Sequence, residues 1–209
     1  MEERTRKLWD LQNRHPDDRL RLFTAVGESL PDVSTALYPG SFVDVAASFV
    51  FDQVTYVDVD HRAARFFADS DGVGEIIAEH RAVQTPATWS FIGADYTTPL
   101  ALPDEGFDLL ISLYAGFVSE HCTRFLRRGG YLLVNPSHGD VAMASIDPSY
   151  ELAGVVQSRS GTYRLSDRAI DTYLIPKRER VITKELLHKT GRSIAYTKSP
   201  SAYLFRRTR

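Results

Sequence analysis

Apolar positions along this chain fall into short unbroken runs, each closed by a turn former or a polar residue, with helix-periodic stretches between them. The runs are 35–40 (TALYPG), 54–58 (VTYVD), 90–95 (SFIGAD) and 107–113 (FDLLISL), and 129–135 (GGYLLVN) extends the series. Strands that alternate with helices imply a parallel sheet with both faces covered, which binds its ligands at the strand carboxyl ends. Asp58 and Asp95 each stand at such an end.

Before the first run, residues 3–30 show helical spacing (Leu8, Trp9, Leu11, then Leu20, Leu22, Phe23, Val26), broken at Pro16, Asp17 and Asp18 and stopped by Pro31. After it, Ser41 and Asp44 have capping-box spacing, and Phe42, Val45, Ala46, Phe49 and Val50 give an apolar stripe, so a helix is expected there. Asp60 is expected to start the next helix, punctuated by Gly72 and Gly74. A further helix is expected over 119–128, stopped at Gly129, with structural arginines at 124, 127 and 128. Beyond 136 the pattern turns antiparallel. A hairpin is expected from 150–157 and 162–165, a helix capped by Thr183 and closed by Gly191, and a last pair from 194–197 and 202–206.

Composition narrows the class. With 209 residues, 43% hydrophobic and 25% charged, the chain is expected to be one soluble α/β domain. It divides into an N-terminal helical cap (1–31), a central half (34–135) and a C-terminal half (136–209). The formal charge of −2 offers no global pull toward nucleic acid or an anionic membrane. Cys122 is the only cysteine, which excludes an internal disulfide and fits a reducing cytoplasm. No secretory signal and no stretch long enough to span a bilayer is visible.

The turn at Gly40 and Ser41 would bring backbone N–H groups toward a ligand, and Asp58, 18 residues on, has the position of an acid that accepts ribose hydroxyls. Asp95 could receive an exocyclic amine, or simply form a turn. In 135–140 (NPSHGD), Asn135 and His138 lie just past strand five, and a histidine there could take a proton near neutral pH. The loop formers around it equally suit a polar turn. Gly72 and Gly74 follow a helix and lack a third glycine, so they are no dinucleotide fingerprint. The six histidines show no metal-ligand spacing, and His121-Cys122 reads as packing. Lys177-Arg-Glu-Arg180 and Arg206-Arg-Thr-Arg209 read as solvated charge.

Taken in order, 37–40 (LYPG), Val57-Asp58, 93–95 (GAD), 107–112 (FDLLIS) and 124–134 (RFLRRGGYLLV) resemble class I S-adenosylmethionine-dependent methyltransferases over roughly residues 34 to 135. That resemblance implies a Rossmann-like, doubly wound, mostly parallel seven-stranded sheet with an antiparallel C-terminal strand. It implies S-adenosylmethionine as cofactor. Tyr38 and Gly40 would serve its methionine end, Asp58 its ribose and Asp95 its adenine amine, with Ser41, Val59 and Tyr96 also binding the cofactor. Leu113 and Tyr114 would face cofactor and acceptor. With the N-terminal helices (Trp9, His15) covering the pocket, a small-molecule acceptor is expected, without nucleic acid or membrane. One departure stands out: Tyr38, Gly40, Phe42 and Asp44 occupy the places of the family's acid and alternate glycines. A catalytically inactive binding or regulatory protein on the same fold is therefore the alternative.

Overall fold

A computed structural model describes residues 1–15, 17–82 and 85–209. The break expected at Pro16 lies outside the described residues. Among the described residues eight strands form one sheet: β1 (Thr35–Pro39), β2 (Gln53–Val57), β3 (Thr88–Ile92), β4 (Phe107–Ser112), β5 (Leu126–Val134), β6 (Tyr150–Arg159), β7 (Thr162–Ser166) and β8 (Ala202–Arg207). Their order is β3-β2-β1-β4-β5-β8-β6-β7. β8 is antiparallel to both β5 and β6, and β7 is antiparallel to β6, so six strands share one direction and two oppose it. The sheet is thus mostly parallel, as expected, but carries eight strands rather than seven.

Alternate residues of the central strands feed opposite cores. On one face Ala36, Tyr38, Leu109, Ile111 and Leu133 pack with Trp9, Phe23, Val26 and Phe49. On the other Leu37, Leu110, Leu132 and Val134 pack with Val118, Phe125, Val141 and Tyr203. Burial on both faces explains why these strands read as unbroken apolar runs.

Among the described residues seven α-helices cover the sheet: α1 (Glu3–Gln12), α2 (Asp18–Ser29), α3 (His61–Ala68), α4 (Ser70–His80), α5 (Val118–Cys122), α6 (Asp140–Ile146) and α7 (Lys184–Thr190). The expected caps at Asp60 and Thr183 form, accepting from the backbone N–H of Arg62 (2.7 Å) and Leu186 (3.2 Å). Four expectations change. No α-helix follows β1. A single 3₁₀ turn, Ala46–Phe49, stands there, because Asp44 turns into the core instead of capping Ser41. Gly72 and Gly74 lie inside α4, whose cap is Asp69. A Cβ on Gly72 would sit 2.4 Å from the Asp69 carboxylate, so the cap itself requires glycine. The helix expected over 119–128 ends early, and Leu126 through Gly130 join β5, whose register against β4 shifts there. Finally, β8 does not pair with 194–197 but wedges between β5 and β6. Only Tyr196 bridges, to Pro176.

Candidate functional site

The loops after β1, β2, β3 and β4 meet at the carboxyl edge of the sheet and enclose a cleft of ≈ 490 Å³ lined by Gly40, Asp58, Val59, Asp95, Tyr96 and Tyr114, among others. Its floor is where the first and fourth loops touch. Gly40 has φ +68°, donates to the Val57 carbonyl (2.8 Å), and leaves no room for a side chain, since a Cβ would lie 2.7 Å from that of Ala115.

Asp58 closes one wall. Its Oδ2 accepts the Phe42 N–H (2.7 Å) and its Oδ1 the Asp60 N–H (2.8 Å), so this carboxylate shapes the loop after β1 as well as facing the cleft. Each oxygen keeps a second lone pair for an outside donor. Asp60, beside it, is drawn down to about 2 by its hydrogen bonds with Arg62. Asp95 forms an Asx turn, accepting the Thr97 N–H (2.9 Å) and hydroxyl (2.8 Å) on one oxygen, and these bonds hold its carboxyl below the usual range. Tyr96 crosses to the fourth loop. Its hydroxyl donates to the Gly116 carbonyl (2.8 Å) and accepts the Gly116 N–H (3.2 Å). Val59 and Tyr114 stand 75% and 62% exposed on the rim, an unusual position for large apolar side chains unless something covers them.

Backbone strain gathers at this edge. Phe42, Tyr114, Phe117 and His138 all have positive φ, between 48° and 61°, in loops that follow β1, β4 and β5. Left-handed backbone at non-glycine residues costs of order 1–3 kcal/mol each, and it concentrates where loops are held for a ligand.

The structure separates the remaining expected site residues. Tyr38 is buried and its hydroxyl donates to Asp44 (3.0 Å), away from the cleft. Ser41 and Leu113 are likewise buried and do not line it. Asn135 is buried too. Its Oδ1 accepts the Tyr114 N–H (3.2 Å) and the Ser137 hydroxyl (2.6 Å), which fixes the strained fourth loop. His138 is exposed and packs beside Gly116. Phe42 lies partly buried against the core under the Arg62 guanidinium (4.9 Å), outside the cleft lining. No described residue of 1–31 lines the cleft either. α1 sends Trp9 onto Phe49 and His80, and only Arg19 of α2 comes near, over the Tyr114 ring (5.0 Å). The expected N-terminal cover is therefore absent from the cleft lining.

Two buried acids were not anticipated. Asp44 accepts from Tyr38, from the Ala46 N–H (3.2 Å) and from Arg19 Nε (3.1 Å). Burial pushes its carboxyl up, against the pull of Arg19. Asp140 accepts from the hydroxyls of Ser112 and Ser119 (2.5 Å each) and has no cationic partner, so burial raises it. A serine ending the apolar run 107–112 was the available signal, because a buried hydroxyl needs a partner. Burial also pushes the Cys122 thiol up to about 12, which leaves it inert. A second hollow, beside Trp89 and Arg81, sits at the opposite edge. Its arginine is committed to Asp52 and to the Ser48 and Phe51 carbonyls.

No family model matches this chain, and no curated protein is similar to it. Among solved structures it is similar to an S-adenosylmethionine-dependent methyltransferase from Methanosarcina mazei (14% identity, 88% of this chain and 96% of that one, TM-score 0.44). It is similar to the N-methyltransferase NodS from Bradyrhizobium japonicum in complex with S-adenosyl-L-homocysteine (17%, 73% and 88%, TM-score 0.40). It is also similar to the tRNA (m1A58) methyltransferase TrmI from Aquifex aeolicus (12%, 90% and 69%, TM-score 0.44).

Proposed function

We propose that this chain is a class I methyltransferase that binds S-adenosylmethionine in the cleft at the carboxyl edge and passes its methyl group to a small-molecule acceptor. The observation that carries this is the pairing of Asp58 and Asp95 at the ends of neighbouring strands β2 and β3, with exposed Val59 beside Asp58, on a cleft that no Lys or Arg lines.

The donor set fits the cofactor. Asp58 has lone pairs left for the two ribose hydroxyls, and the Asp95 oxygen not used by Thr97 can accept an adenine amine. Val59 and the ring of Tyr96 offer apolar surface for a planar base. The two carboxylates favour a ligand bearing a sulfonium cation. Phe42, turned toward the core, leaves the space that the family's glycines keep open.

When bound, the cofactor supplies an already activated methyl group. The chain's own work is alignment and exclusion of water, and positioning is worth on the order of 7–11 kcal/mol. Tyr114, held by Asn135, sets the acceptor side. His138, outside the cleft lining but beside Gly116, is the candidate base for an acceptor that arrives protonated. The rival, a non-catalytic protein on this fold, has two observations in its favour: the missing helix after β1 and the use of both Asp58 oxygens by backbone.

Thermal unfolding with and without S-adenosylhomocysteine separates the two. At a hundredfold excess over Kd a ligand adds about 2.7 kcal/mol. For a chain of this size the expected rise is on the order of 5–10 °C. An unchanged midpoint at millimolar ligand would favour the non-catalytic protein.

A further inference from the structure

The formal charge of −2 conceals a partition. Residues 1–158 hold 12 Lys and Arg against 23 Asp and Glu, a net of −11. Residues 159–209 hold 13 against 4, a net of +9. Pairing sharpens the contrast. Nine of the first twelve cations form ion pairs (Arg4, Lys7, Arg19, Arg21, Arg62, Arg81, Arg124, Arg127, Arg128). Among the described residues only Lys184 and Arg207 of the last thirteen do so. A merely solvated surface would intersperse its signs and pair many of them. Eleven unpaired cations in one quarter of a chain form a positive field that attracts an outside polyanion.

Five of these cations border two hollows. One, ≈ 370 Å³, is lined by Lys177, Arg178 and Arg180 with Ser193 and Ile194. The other, ≈ 460 Å³, is lined by Arg159 and Lys198 with Ser158 and Ser201. Neither has an acidic residue in its lining. The single bridge of Pro176 with Tyr196 joins the segments that carry them, with Lys177 N–H donating to the Ala195 carbonyl and Thr197 N–H to the Ile175 carbonyl, both at 2.8 Å. The lobe also adjoins the acceptor side of the cleft. The His188 ring of α7 stacks on Phe117 (5.1 Å) and pairs with Glu120 (2.7 Å). The Arg192 carbonyl presses on Gly139, where a Cβ would lie 3.1 Å away. Phe117 follows Gly116 of the cleft lining directly.

We propose that this basic lobe docks a single-stranded nucleic acid by its phosphates, laid along the two hollows toward the cleft. Nine of the thirteen cations are arginine, whose planar fork takes phosphate in bidentate fashion. Concave tracks between extended segments follow a flexible chain, whereas a bilayer or a rigid duplex would meet them only at their rims. This goes beyond the methyl-transfer reading and does not depend on cofactor binding: the strand docks beside the cleft and leaves the small-molecule acceptor its place, and it replaces the sequence-based expectations of solvated charge at 177–180 and of no nucleic-acid partner.

The test is fluorescence anisotropy of the full chain with a labelled 12-nucleotide RNA of mixed sequence, between 50 and 200 mM salt. Binding should weaken by roughly a hundredfold over that range if about five phosphates are neutralised. K177E/R178E/R180E should bind at least tenfold more weakly. R6E/R14E/R65E, an equal charge change at exposed, unpaired arginines of the acidic part, should stay within twofold. If the first variant fails to fold, K177Q/R178Q/R180Q replaces it, with about a tenfold loss expected. Absence of binding at 50 mM salt, equal loss in both variants, tighter binding to the same sequence as duplex, or capture by phosphatidylglycerol vesicles in preference to RNA would each overturn the proposal.

Discussion

Asp58 serves two masters, and its substitution should show both. Its two oxygens already hold the Phe42 and Asp60 N–H groups, so Asp58→Ala frees two backbone donors as well as the proposed ribose contact. S-adenosylhomocysteine affinity is expected to fall by about 1–3 kcal/mol, the cost of losing hydrogen bonds to a charged group, with a lower unfolding midpoint. Asp58→Asn keeps one acceptor oxygen for the loop, so it should recover part of the midpoint but little of the affinity. Calorimetric titration of both variants checks this, and unchanged affinity in each would remove Asp58 from the cofactor site. Asp140 makes a prediction about pH instead. Burial among neutral hydroxyls raises its pKa above the unfolded value of 3.8. The native state then binds this proton more tightly than the unfolded state, so its contribution grows as pH falls from neutral and is fully present below 3.8. In urea titrations, wild type should therefore gain stability relative to Asp140→Asn as pH drops from 7 to 4. A flat difference would mean that the carboxyl titrates normally.

At the scale of elements, the sequence showed local features and hid those made by distant partners. Strands buried on both faces advertise themselves as apolar runs, and the caps at Asp60 and Thr183 need only neighbours two and three residues away. The helix expected after β1 failed for the opposite reason. Ser41 and Asp44 have the right spacing, but Arg19 lies 25 positions upstream and Tyr38 on β1, and together they draw the carboxylate inward. Tyr38 left the site by the same route, whereas Asp58, Val59, Asp95, Tyr96 and Tyr114 line the cleft because strand ends are positions that the sheet itself fixes. Asp108 shows how such ends are fixed at the other edge. Its Oδ2 accepts the N–H groups of Ser34 (3.1 Å) and Thr35 (2.9 Å) and the Thr35 hydroxyl (2.8 Å), while Oδ1 pairs with Arg127 (2.5 Å), so one carboxylate ties β1, β4 and β5. Burial alone would raise its pKa, but these bonds win and lower it. Asp108→Ala should cost about 3 kcal/mol in urea unfolding and leave S-adenosylhomocysteine affinity unchanged. A loss of affinity equal to that of Asp58→Ala would show that the clamp transmits to the cleft.

For the whole molecule, the decisive fact is where the last strand goes. In the sheet, β8 is the strand that joins the β3-β2-β1-β4-β5 part to the β6-β7 hairpin, and α2 also reaches that hairpin, where the Tyr163 hydroxyl donates to Asp18 (2.8 Å). Its residues Tyr203 and Phe205 enter one core and Ala202 and Leu204 the other. Neither part can complete its packing until β8 is in place, so the two should unfold together. The chain has the reporters to test this. Both tryptophans, Trp9 and Trp89, pack in the part built on β1 to β3, whereas far-UV circular dichroism follows every strand and helix. Coincident fluorescence and circular dichroism curves in urea are the expected result, as for a two-state transition. If the β6-β7 hairpin with α7 melted first, circular dichroism would fall before tryptophan fluorescence changed. In that case the basic lobe would be a separately stable unit, and ligand bound between Asp58 and Asp95 would raise only the later transition. With β8 as the joint, the same ligand should instead move both curves by the same amount, although no tryptophan lines its site.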